Sequence, residues 1–112
     1  MKNKNFLHAI LCSIDGLNVL LKEKAVKREL LLILFSICFI IFVKPDIVII
    51  LLLLVLPLII LSIEAINTAI EYICNEITTE ISDKIKKIKD LGSVAVFFSL
   101  LAYALVIIFS FF

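Results

Sequence analysis

The chain has 112 residues, of which 63% are hydrophobic and 19% charged, with two glycines, two prolines and a formal net charge of +1. A soluble domain of this length cannot bury that much apolar surface, so the composition points to a one-domain integral membrane protein. The near-zero net charge removes the electrostatic case for nucleic acid. A single histidine argues against a multi-histidine metal centre or a histidine triad, and Cys12, Cys38 and Cys74, without zinc or CxxC spacing, read as free apolar thiols.

The N-terminus, MKNKNFLHAILCSIDG, starts like a signal peptide, but His8, Ser13 and Asp15 interrupt its apolar run and no small-residue cleavage site follows. It is expected to be retained. Over residues 4–21, Phe6, Leu7, Ile10, Leu11, Ile14 and Leu17 recur at helical spacing, opposite Lys4, His8, Asp15 and Asn18. That pattern predicts an amphipathic helix, either lying in the membrane surface or packed on a bundle. The segment KEKAVKRE (22–29) is predicted helical and runs into an apolar stretch at 30–43, which is short for a span. Ala25 and Val26 extend it to a first span of 25–43, with Lys24, Lys27 and Arg28 snorkelling to the headgroups. Lys44, Pro45 and Asp46 form a tight turn, because proline disfavours helix before it and starts helix after it. The second span is 46–64, with a mild kink at Pro57 and a cytoplasmic helical extension to about 78. Residues 76–90 are a polar loop with four lysines, and 91–112 form a third span. Lys and Arg concentrate before residue 29 and between 84 and 89. The positive-inside rule therefore puts the N-terminus and the 76–90 loop in the cytoplasm. No internal repeat is present.

The chemistry concentrates where the second span ends. Residues 47–63 carry no charge, and the chain continues into Glu64, Asn67 and Glu71, which share one helix face. Charge in or beside hydrocarbon costs at least about 2.5 kcal/mol, so an acid there is a functional-site hypothesis. In a hairpin through Pro45, Glu23 falls level with roughly residue 67, and Glu23 and Glu29 share the depth of Glu64, Asn67 and Glu71. Glu64 lies about 27 Å along the helix from Asp46, close to one bilayer thickness, so the acids gather at the cytoplasmic interface. Carboxylates from two helices at one level suit Mg²⁺, a remaining carboxylate suits a general base, and Lys84, Lys86, Lys87 and Lys89 suit phosphates. No GxxxxGK[ST] or glycine-rich loop is present, which excludes a P-loop or protein-kinase site. Simpler readings stand beside these: Glu71, Glu76 and Glu80 as a solvated face, KIKKIK as a positive-inside anchor, and Asn67 as a helix–helix hydrogen-bonding residue.

EAINTAIE (64–71) followed by KDLGSVAV (89–96) resembles the paired signature of the bacterial diacylglycerol kinase family. These are small three-span membrane kinases whose gram-positive members act on undecaprenol. The resemblance extends over nearly the whole chain, including S-x-x-G-L from Ser13 to Leu17. It implies an all-α integral membrane fold of three transmembrane helices plus an N-terminal amphipathic surface helix, assembled as a homotrimer in the bacterial inner (cytoplasmic) membrane. By resemblance, Glu64 is the catalytic base and Asn67 helps order the site. Glu23 and Glu71 hold the Mg²⁺ that bridges the ATP phosphates. Glu80, Lys89 and Asp90 contact the nucleotide, while Glu29 and Ser93 line the lipid site with Glu64. The chain departs from the family at Asn75, where an aspartate is usual, and at Asn5 and Cys12, where an arginine and a tyrosine are expected nearby.

The reading is thus an Mg²⁺- and ATP-dependent lipid kinase. Gly92-Ser93 favours 1,2-diacylglycerol over undecaprenol, whose kinases more often carry alanines there. An ion-translocating oligomer using Glu64 as carrier, or a non-enzymatic membrane assembly, are the rivals. The interfacial depth of Glu64 opposes the first, and the placing of Glu23 opposite Asn67 and Glu71 opposes the second.

Overall fold

The structure, a computed structural model, describes residues 5–80 and 82–112; Lys4, at the start of the first expected helix, lies outside them. Four helices follow in order, α1 (Phe6–Leu20), α2 (Lys24–Val43), α3 (Ile47–Ile77) and α4 (Asp83–Phe109), with no strand among the described residues. Helices α3 and α4 are long and apolar enough to cross a membrane. Helix α2 has 20 residues, but Lys24, Lys27, Arg28 and Glu29 occupy its first turns, so its apolar stretch is shorter.

Helices α1, α3 and α4 each begin where a side chain takes an orphan amide. Asn5 accepts from the His8 amide at 2.8 Å, Asp46 from Ile49 at 3.1 Å and Ser82 from Ile85 at 3.2 Å. The α2–α3 turn is closed by Lys44 in the left-handed region (φ 52°), followed by Pro45, which cannot extend the helix. Helix α3 runs through the buried Pro57 as one element.

Two boundaries differ from the sequence reading. The chain leaves the helical path at Leu21–Glu23, so KEKAVKRE is helical only from Lys24. Helix α4 starts at Asp83, well before the apolar residues begin, so the lysine-rich part of the 76–90 segment is helix and not loop. The Ser82 cap, Asp83 in the first turn and the Lys86–Asp90 pair at i, i+4 (2.6 Å) all favour helix there.

Helix α3 is the central element: it packs most extensively on α4 and also on α2. The core between them is built on Leu53 and Ile60 of α3 and Tyr103 of α4, with Phe39 of α2 and Leu100 of α4 against them. Within it the Ser36 hydroxyl, on α2, hydrogen-bonds the Tyr103 hydroxyl, and Ser36 also donates to the Leu32 carbonyl at 2.9 Å. Helix α1 stands apart, with Leu20 its one buried residue among those described. A groove of about 680 Å³ separates it from α3, lined by Ser13, Gly16, Leu17 and Leu20 on one side and Leu58, Ser62, Ala65, Thr68 and Tyr72 on the other.

The hydroxyl pair is the one side-chain hydrogen bond joining α2 to α4 among the described residues. Removing it by Tyr103→Phe is expected to cost on the order of 0.6 kcal/mol, the average for such bonds in membrane bundles. Unfolding in mixed detergent micelles measures this, and a variant as stable as the parent would show the pair to contribute nothing.

Candidate functional site

Helix α3 carries Glu64 into the bundle with only 3% of its surface exposed, and α2 brings Glu29 to the same level, equally buried. Neither carboxylate can be stable there alone, since desolvating an ion costs several kcal/mol unless a partner offsets it. The partner is Arg28: its Nη2 donates to Glu64 Oε1 at 3.3 Å. The sequence reading sent Arg28 to the headgroups. The structure turns it toward Glu64, while its side chain stays 67% exposed. Glu29 feels the charges of both Glu64 and Arg28, and its Oε2 is buried without a hydrogen-bond partner among the described residues.

One turn along α3, the Asn67 amide Nδ2 donates to Glu71 Oε1 at 3.4 Å. That orientation leaves Asn67 Oδ1 buried and unpartnered against α4. The close approach is possible because residue 92 is glycine. A Cβ there would lie 3.2 Å from Asn67 Cγ and closer still to Oδ1, so the space belongs to the amide.

Glu23 sits at the N-cap position of α2, yet makes no capping bond. Its Oε1 instead accepts from the Tyr72 hydroxyl of α3. The hydrogen bond to Glu23, together with the charges of Glu23 and Glu71, pushes the Tyr72 phenol above its ordinary pKa. Hairpin arithmetic set Glu23 level with roughly Asn67; its carboxylate bonds Tyr72, farther along the same helix. Glu29 is the α2 carboxylate level with Glu64.

Of the expected metal pair, Glu23 is bonded to Tyr72 and Glu71 to Asn67, and no hydrogen bond among the described residues joins the two carboxylates. Among the described residues no three Asp, Glu, His or Cys side chains converge into a preformed cage. Each of the two carboxylates has Oε1 engaged by a neutral donor, which suits a hard cation that arrives with waters and phosphates of its own.

Farther along α3 and α4 is a smaller pocket of about 190 Å³, lined by Asn75, Thr78, Thr79, Glu80, Ile85, Lys86, Lys89 and Asp90. It unites three of the residues expected at the nucleotide: Glu80, Lys89 and Asp90. Lys89 Nζ donates to Asn75 Oδ1 at 3.0 Å, so the residue that replaces the usual aspartate holds the lysine without neutralising it. Ser93, expected at the lipid, is exposed on α4 and makes no hydrogen bond to the acidic cluster among the described residues. Sequence reasoning missed Arg28, Tyr72 and the partner of Asn75. A signal for the first was present, since two buried acids at one level require a cation; nothing marked Tyr72.

Among the described residues the chain is all-helical, with two helices long and apolar enough to cross a membrane and a buried carboxylate in one of them, a combination that suits a membrane protein. Residues 11–111 match the prokaryotic diacylglycerol kinase family, and the chain belongs to it. No curated protein matches the chain. Membership makes it a lipid kinase of the diacylglycerol/undecaprenol kinase type, with ATP and a lipid as substrates.

Gly92→Ala tests the α3–α4 contact. The added methyl has to displace Asn67, and a misplacement of about 1 Å in a catalytic group can cost on the order of 10²-fold in rate. Kinase activity of Gly92→Ala is expected to fall at least about tenfold with helix content intact; parental activity would mean that Asn67 tolerates a different position.

Proposed function

We propose that the protein transfers the γ-phosphate of ATP to the hydroxyl of a membrane lipid, 1,2-diacylglycerol, yielding phosphatidic acid. The observation that carries this reading is Glu64: a buried carboxylate, held by Arg28, at the end of 17 uncharged residues. A lipid hydroxyl at the headgroup level meets Glu64 from the apolar side, while phosphates arrive from the side of Lys89.

In this mechanism Glu64 takes the hydroxyl proton as the oxygen attacks phosphorus in line, and ADP leaves with no covalent enzyme intermediate. Asn67 spans the site, bonded to Glu71 on the nucleotide side and seated on Gly92. Lys89, held by Asn75, contacts phosphate as a point charge, and Glu80 and Asp90 border the same pocket. Glu23 and Glu71 are the residues that would hold Mg²⁺, which when bound offsets phosphate charge. Glu29 and Ser93 are assigned to the lipid side. Positioning and electrostatics supply most of the rate in such transfers.

We further read α2, α3 and α4 as three spans, with the N-terminus and the α3–α4 connection cytoplasmic in the inner membrane, and the active unit as a homotrimer. The many apolar side chains exposed along the spans, such as Phe42, Leu58 and Phe98, require lipid or neighbouring subunits against them.

Purified protein given labelled ATP with diacylglycerol and undecaprenol in parallel micelles tests both class and substrate. Label in phosphatidic acid alone is expected; label in undecaprenyl phosphate alone would reassign the substrate, and label in neither would reject the kinase reading. Glu64→Gln is expected to lose turnover, on the order of 10²-fold or more, while still binding nucleotide. Glu71→Gln is expected to lose turnover together with Mg²⁺-dependent nucleotide binding. Near-parental activity in either variant removes its assigned role.

A further inference from the structure

We propose that Arg28 is a positioning residue for Glu64, its guanidinium supplying the counter-charge that lets this carboxylate stay inside the bundle with one oxygen fixed and the other available to a lipid hydroxyl. The proposal rests on the kinase reading, in which Glu64 is the base.

The argument begins with charge at one level of the bundle. Glu64 and Glu29 are both 3% exposed, from α3 and α2, and each is electrostatically within reach of the other. Two carboxylates pressed together in a low-dielectric setting repel, and each loses its hydration. Helix α4 brings no charge to them, because its last charged residue is Asp90, on the cytoplasmic side of Gly92. Helix α1 faces α3 through uncharged residues, Ser13, Gly16, Leu17 and Leu20 among them. On α3 itself the next acid is Glu71, which is exposed and bonded to Asn67. Among the described residues Arg28 is the one cation paired with Glu64.

Arginine suits the task better than the lysines beside it. Its guanidinium stays charged in any surroundings, is weakly hydrated and offers several N–H groups in a rigid fork. Here the stem runs from the exposed face of α2 and only the tip reaches the carboxylate, so one residue spans the wet and the buried sides of the site. The bond falls on Oε1. The other oxygen is left as the proton acceptor, and rotation of the carboxylate that would exchange the two must break the ion pair.

Arg28→Gln and Arg28→Lys, purified in detergent and assayed with lipid and ATP varied separately, test this. Arg28→Gln is expected to lower kcat at least tenfold with the KM for ATP within twofold of the parent. Arg28→Lys, which restores the charge without the fork, is expected to recover at least threefold over Arg28→Gln. A residue that merely supports the fold would lower thermal stability without this split or this rescue. The proposal is overturned if Arg28→Gln keeps kcat within twofold, if Arg28→Lys is no better than Arg28→Gln, or if the loss lies in KM alone. Should Arg28→Gln not fold, Arg28→Met, of similar length and more apolar, is read by the same outcomes. A parent chain that phosphorylates no lipid fails separately: it rejects the kinase reading, and the role of Arg28 with it.

Discussion

The structure depends on one constraint: a carboxylate is held inside an apolar helix bundle and must be neutralised there. Glu64 lies at the end of an uncharged stretch, residues 47–63, and its burial is offset by an arginine that α2 carries to it. That requirement fixes the relative heights of α2 and α3 as firmly as their apolar contacts do. Leu53, Ile60 and Tyr103 fasten the far part of the bundle, while Arg28–Glu64 fastens the near part. The ion pair, whose carboxylate is buried, adds a fixed point of register to what apolar packing supplies.

Around this pair the site accepts several local losses. Glu23 forgoes its capping bond, Asn67 Oδ1 is buried without a donor, and Glu29 Oε2 likewise. Each runs against the ordinary satisfaction of polar groups, and all occur between residues 23 and 71, within about two turns of Glu64 along the hairpin. Departures of this kind collect where a protein keeps groups for a ligand and not for stability. The core farther along the same helices shows the opposite habit: its one polar contact, Ser36 with Tyr103, pairs two hydroxyls, and Ser36 is bonded to the backbone as well.

Much of this was legible in the sequence. Pro45 and Asp46 announce the hairpin turn, because one residue cannot continue a helix and the other can cap the next. The i, i+3, i+7 spacing placed Glu64, Asn67 and Glu71 on one stripe, and Glu80, Lys89 and Asp90 do meet in one pocket. Periodicity failed where charge and helix propensity coincide. KEKAVKRE reads as unbroken helix, so the break at residues 21–23 was invisible, and with it the bond of Glu23 to Tyr72. The segment from Asp83 to Asp90 reads as polar loop by composition, although its cap and its charge pair favour helix. The direction taken by Arg28 and the closeness of Gly92 to Asn67 are properties of packing between helices, which spacing along one helix does not encode.

The unbroken course of α4 has a mechanical consequence. Lys89, Asp90 and Gly92 lie on a single rod, with Lys89 and Gly92 separated by about 4.5 Å of axial rise. A tilt or slide of that rod that moves Lys89 also moves Gly92 against Asn67. The pocket around Lys89 and the contact beneath Asn67 are thereby tied to one rigid body, with no break in the helix to let one shift without the other.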